Sequence, residues 1–242
     1  MRKIFMQFAS LLTSGSRGRH IMFKRVSLGI LLAGVLSATA GVAQAGPPTG
    51  VTCGSLIEVP GQYFLIADCT GQGITIIASN VHLKLEGHTM TGLGILGLDG
   101  IFAVNVSHVH IQGPGTITNY GNGINFDGVT DSHVEQVSST NNRRNGLRLN
   151  STTDTHVNDN VFSMNTQEGV IVVLSSDNHV NNNRAIGNRY GIRVGDGSTG
   201  NKVNGNTALG NSIDLVDENP NCDNNKWNGN TFTTSFPPNC IR

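Results

Sequence analysis

The chain has 242 residues, of which 13% are charged, with 16 basic and 16 acidic side chains and a formal net charge of zero. That balance excludes a nucleic-acid-binding surface, which needs clustered Lys and Arg. Glycine is abundant at 31 residues, but hydrophobic residues make up 37% and recur at regular intervals, which argues against disorder.

The first segment reads as an address. From Met22, "MFKRVSLGILLAGVLSATAGVAQA" has a basic start at Lys24 and Arg25 and an apolar run from Leu28 to Leu36. It closes on a small-residue site ending at Ala45, the layout of a secretory signal peptide. The apolar run is too short for a confident membrane span. Met22 reads as the start, residues 1–21 as an upstream extension, and residues 1–45 as excluded from the fold. A secreted or periplasmic protein is expected, with no stable membrane span after cleavage.

Residues 46–73 read as an N-terminal cap. Cys53, Cys69, Cys222 and Cys240 make an even count in an exported chain, which suggests disulfides, and three connectivities are open. The early and late pairs flank the repeats described next, which favours Cys53–Cys69 and Cys222–Cys240.

Residues 74–235 are repetitive. Aligned on one apolar position, the segments beginning "SNVHLKLEG", "SHVHIQG", "SHVEQV", "THVNDN", "NHVNNN", "NKVNGN" and "NKWNGN" place Val81, Val109, Val134, Val157, Val180, Val203 and Trp227 in one column. The steps are 28, 25, 23, 23, 23 and 24 residues. Asn160, Asn183, Asn206 and Asn230 form a second column, and Asn142, Asn165, Asn188 and Asn211 a third. Phe162, Ala185, Ala208 and Phe232 form another. The phrases "GINF", "GLRL", "GVIV", "GIRV" and "SIDL" carry apolar residues two apart, which is strand periodicity. No unit holds a helical pattern. Units of this length with short strands and Gly/Asn turns predict an all-β, right-handed parallel β-helix of about six or seven coils, each resting about 4.8 Å from the next. Stacked turns would set each asparagine above its equivalent, so the amides should form hydrogen-bonded ladders. Asparagine also suits left-handed turn positions. Residues 236–242 read as a tail.

Here the chain resembles the right-handed parallel β-helix repeat proteins of exported bacterial type. The stretch from Cys53 to Gly92, "CGSLIEVPGQYFLIADCTGQGITIIASNVHLKLEGHTMTG", is similar to their opening segment, and "NKWNGNTFTTS" to their closing coil. The wider superfamily includes pectate-lyase-like enzymes, alginate epimerases and copper-pathway periplasmic proteins of NosD type. The resemblance implies a fold and carries over no catalytic residue.

Two constellations could carry chemistry. The first is a repeated Asp-x-His: Asp131 and His133, Asp154 and His156, Asp177 and His179, with His108 extending the column upward and Lys202 and Lys226 downward. Imidazoles about 4.8 Å apart backed by carboxylates could hold a transition metal. The structural alternative has Asp opening the turn and His packing on its neighbours, and regular repetition favours it. No motif demands a cofactor and none is predicted; the columns suit Zn or Cu, and Ca is the further ion considered. The second is the face of the "GLRL" strands, where Asn125, Arg148, Ile171, Arg193 and Asp214 are expected to point outward. Arg143, Arg144, Glu168, Arg189 and Tyr190 lie near the preceding turn. Arg148, Arg193, Arg189, Tyr190 and Glu168 suit an acidic polysaccharide, with lyase or uronate-epimerase chemistry as the enzymatic version. No pair of acids for glycoside hydrolysis is apparent. The glycine-rich "GLGILG" and "GDGSTG" fall at coil turns and open no helix, so they are not nucleotide loops. The expectation is a polysaccharide-binding β-helix protein, the alternative a non-catalytic structural or metal-handling one.

Overall fold

The computed structural model describes residues 46–241; the segment read as a signal peptide lies outside the described residues. The chain winds as a parallel β-helix. One sheet stacks Leu56–Ile57, Ile74–Ile76, Ile101–Val104, Ile124–Asp127, Leu147–Asn150, Glu168–Val173, Tyr190–Val194, Ile213–Asp217 and Ser235–Phe236 in sequence order. The other is broader and branches, because each turn contributes two short strands to it, such as His156–Asn158 and Val161–Ser163. Every pairing is parallel and joins neighbouring turns.

There are about eight turns, rather than six or seven. The difference lies at the N-terminal end. Thr49–Val51, Leu56–Ile57 and Gly61–Leu65 fall in the segment read as a cap, yet they already pair with the coils that follow. The disulfides Cys53–Cys69 and Cys222–Cys240 sit at the two ends of the solenoid. Among the described residues, no helix is long and apolar enough to cross a membrane.

Strand alternation builds the core. In Leu147–Asn150 the leucines are buried while Arg148 and Asn150 are half-buried on the outer face. Glycine precedes these strands because the coils approach closely there. A Cβ on Gly169 would lie 2.6 Å from the Gly191 carbonyl oxygen and 2.9 Å from Nδ2 of Asn188.

The asparagines answer the thinness of this core. Asn183, fully buried, accepts on Oδ1 from the backbone N–H of Asn160 at 3.0 Å and from Asn160 Nδ2 at 2.9 Å. Its own Nδ2 donates to the Val157 carbonyl at 2.8 Å and to Asn206 Oδ1 at 3.1 Å. All of its amide hydrogen-bonding capacity is therefore used. The Asn142–Asn165–Asn188–Asn211 column repeats the pattern, as does a further column through Asn178, Asn201 and Asn225. The ladder asparagines are not themselves in the left-handed conformation. That position belongs to the residue before each: Asp159, Asn182, Gly205 and Gly229 have φ of 57°, 56°, 66° and 61°. The left-handed residue turns the chain so that the following amide points inward.

Two columns need correcting by two residues. Val134, Val157, Val180, Val203 and Trp227 do align. Upstream, however, Val134 pairs with Ile111, which pairs with Leu83, so Val109 and Val81 belong one inward position earlier. Likewise the phrases "GIRV" and "SIDL", which by spelling set Ile192 over Ile213, are offset, since Ile192 pairs with Leu215. A two-residue slip returns every side chain to the same face, so periodicity alone does not detect it.

The ladders set the stability. Asn183→Ala would leave buried donors and acceptors unmatched on both neighbouring coils, and is expected to cost about 2–4 kcal/mol in denaturant unfolding. Asn181→Ala, in the half-buried outer row beside it, is expected to change stability by about 0.5 kcal/mol or less.

Candidate functional site

The outer face of the narrower sheet carries a groove of about 440 Å³. Inter-coil register sets one of its walls: Asn125, Arg148, Ile171 and Arg193 stand in line. A second row, Asp99, Asn122, Asn145 and Glu168, also lines it, at steps of 23 residues. In that row Asn145 Nδ2 donates to Asn122 Oδ1 at 2.9 Å, and Asn122 Nδ2 donates to Asp99 Oδ1 at 2.7 Å. Asn125 Nδ2 donates to the other Asp99 oxygen at 2.7 Å. At the opposite end, the backbone N–H of Glu168 donates to Asn145 Oδ1 at 3.1 Å. Amides fill the middle of this row and carboxyls its two ends.

Glu168 is buried and lies 3.3 Å from Arg193 Nη1, which also stands 3.6 Å from Glu218. Burial pushes the Glu168 carboxyl up, and the charges of Arg193 and Arg189 only partly offset this. Arg193 Nε is buried with no hydrogen-bond partner. By contrast, no carboxylate of the described residues is in ion-pair range of Arg144 or Arg148. Arg148 makes a single 3.3 Å bond to Asn125 Oδ1. Asp99 and Glu168 are three coils apart, about 14 Å, too far for the paired acids of glycoside hydrolysis. Glu168 and Glu218 are nearer, but the Arg193 guanidinium is bonded between them.

Of the residues expected on this face, Arg148, Arg193 and Glu168 line the groove together with Asn125 and Ile171. Arg189 and Tyr190 sit beside it, with the guanidinium carbons of Arg189 and Arg193 lying 5.1 and 5.6 Å from the Tyr190 ring centre. Asp214 does not point outward with them. It is fully buried and ends an asparagine ladder, accepting from Asn211 Nδ2 at 2.9 Å and from Thr233 and Thr234. Burial pushes its carboxyl up, but the hydrogen bonds from Thr233 and Asn211 outweigh burial and hold its pKa below the ordinary value. Asp99, Asn122 and Asn145 were missed in the sequence, although the 23-residue step leads from Glu168 straight to them.

The histidines form a different row. His82, His110, His133, His156 and His179 follow one another with ring centres 4.3, 5.6, 5.0 and 4.6 Å apart; the first and third pairs are stacked, and the second and fourth are tilted by 57° and 32°. His110, not His108, continues the column. His108 instead takes the left-handed position shared with Asp131, Asp154 and Asp177, at φ of 56°, 49°, 52° and 56°. The three aspartates therefore serve the turn, two residues before their histidines. Lys202 Nζ donates to His179 Nε2 at 3.3 Å, and His110 bonds Glu135 at 2.9 Å.

A family model described as periplasmic copper-binding protein (NosD) matches residues 65–236. The chain belongs to the NosD family. Among solved structures it is similar to a mutant of the periplasmic alginate epimerase AlgG, at 18% identity and TM-score 0.48, over 74% of this chain and 49% of that one. It is similar to the Dettilon tailspike protein at 13% and 0.49, over 78% and 54%. A mannuronan C-5 epimerase A-module from Azotobacter vinelandii matches at 15% and 0.42, over 77% and 76%. The chain spans about half the length of the first two. No curated protein matches it.

The NosD description names copper, and the described residues do not fit a closed copper site. Among them, no three His, Cys, Asp or Glu side chains come together around a common point. All four cysteines are in disulfides. Imidazole lone pairs lie in the ring plane, so the two stacked pairs, His82–His110 and His133–His156, aim them side by side instead of at one ion.

Burial lowers the pKa of His82, His133, His156 and His179, and repulsion between neighbouring rings adds to it. A depressed histidine pKa means the unfolded chain takes up protons first as pH falls past 6.5, so stability present above that value is lost below it. The melting temperature is expected to fall between about pH 7.5 and about pH 5.5, and His156→Gln to flatten that slope. An unchanged slope in the variant would show that the stack does not titrate in this way.

Proposed function

We propose that this NosD-family chain is an exported β-helix protein that binds an acidic polysaccharide in the groove of the narrower sheet. The observation that carries the reading is the pair Arg144 and Arg148, which face the groove with no carboxylate partner among the described residues. A guanidinium recognises a carboxylate through two parallel hydrogen bonds. Asn122, Asn125 and Asn145 beside it supply amide donors and acceptors suited to sugar hydroxyls. The groove volume falls in the range of ligand sites. Proton abstraction of lyase or epimerase type would fall to Glu168, the buried carboxyl at the groove wall.

An array of acidic and neutral polysaccharides is expected to include an acidic binder. Arg148→Ala is expected to weaken it about tenfold or more, and Arg148→Ala with Arg193→Ala to abolish it. Equal binding by wild type and the double variant would remove the proposal. An absorbance assay for unsaturated products on the same array separates cleavage from binding. The family description favours a second reading, metal handling along the histidine row. Given the stacked geometry, dialysed protein is expected to retain no Cu or Zn. Stoichiometric metal released by His156→Ala would establish that reading instead.

A further inference from the structure

We infer that the groove continues toward the N-terminal end as a sugar-stacking subsite with Phe102 as its platform. The polysaccharide is then held at two points: an acidic sugar at Arg148, and the C–H face of an uncharged sugar two places along the chain. The inference rests on the polysaccharide reading above and adds the second point of contact.

Inter-coil register carries it. The outer row that supplies Arg148 and Asn125 runs on, coil by coil, to Phe102, Thr75 and Leu56. There the face sinks into a second hollow of about 550 Å³, which adjoins the first where Gly97 and Asp99 line both. Strand alternation buries Ile101 and Ala103 and leaves Phe102 partly exposed between them. At the equivalent position the following coils carry Asn125, Arg148, Ile171 and Arg193, so Phe102 is the row's one outward aromatic ring over these coils. Leu56, 53% exposed, and Leu98 share the hollow with it, while Gln72 and Thr75 supply an amide and a hydroxyl. A concave apolar surface with a few polar groups is the usual make-up of a ligand site. A pyranose matches it, since C–H groups cover the ring's face and hydroxyls its rim. The face packs on the phenyl ring, and the rim bonds Gln72 and Thr75.

Spacing and charge choose the sugar. Phe102 stands two coils from Arg148, about 10 Å, the length of two linked sugars. Asp99 is the one charged residue lining the hollow, and amide hydrogens from Asn122 and Asn125 at 2.7 Å each hold its carboxylate in place. A second uronate there would set carboxylate against carboxylate with no cation in the lining to offset it. An uncharged sugar meets no such cost, and its hydroxyls can donate to Asp99.

The test measures affinities of the purified protein for oligosaccharides of one terminal uronate joined to one or two uncharged hexoses. Both series are made, with the uronate at either end, so that both chain directions are sampled. In one of them affinity is expected to rise about tenfold from one hexose to two, where the chain first reaches Phe102. Phe102→Ala is expected to remove that rise and to leave the one-hexose compound bound as before. Phe102→Leu, which keeps the apolar bulk but not the flat face, is expected to lose most of it, and decides the matter if the alanine variant lacks a normal melting transition. No gain from the second hexose in either series, or a gain that survives in the variants, overturns the inference while binding at Arg148 stands. If neither length binds wild-type protein with a normal melting transition, the proposed function falls, and this inference with it.

Discussion

Each coil is held at the height of its neighbour by side-chain amides that bond in two directions at once. A backbone ladder alone fixes the spacing of parallel strands, but it says little about which residue stands over which. The buried asparagines remove that freedom. Asn183 bonds both the backbone and the side chain of Asn160 above and the amide of Asn206 below, and a coil shifted along the strand would strand all of these groups in an apolar interior. The ladders end where an acceptor without hydrogens can close them, as Asp214 does below Asn211 and Asp217 below Asn219.

Because repetition is the stabilising device, chemistry is expected where a column changes character. The histidine row changes only at its two ends, where Gln62 precedes the rings and Lys202 and Lys226 follow them. Its aspartates occupy left-handed turn positions, which explains their spacing without a ligand. The groove row is different. Asn122 and Asn145 continue one another, and then Glu168 brings a buried carboxyl into the same column beside Arg193. A carboxyl kept out of water with its pKa raised is a costly substitution in a ladder of neutral amides, and its place in the groove makes it a candidate for function.

Family and site chemistry diverge in one respect. Membership of the NosD family follows from a match across most of the described chain. The copper in that family's description finds no convergent ligand set among the described residues, since the thiols are oxidised and no three potential ligand side chains come together.

How much of this was legible in the residues depends on the kind of question. The solenoid, its stacked asparagines and the outward Arg148 and Arg193 follow from a period near 23 residues and from alternation along each strand, and both are local properties of the chain. The placement of His110 instead of His108 in the imidazole row, the inward turn of Asp214 and the extra coils at the N-terminal end were not legible. Strand pairing repeats every two residues, so an alignment displaced by two satisfies the same hydrophobic pattern. Tertiary structure alone also decided which charges meet: Glu168, Arg193 and Glu218 come from three successive coils, and only the closing of each turn onto the last brings them together.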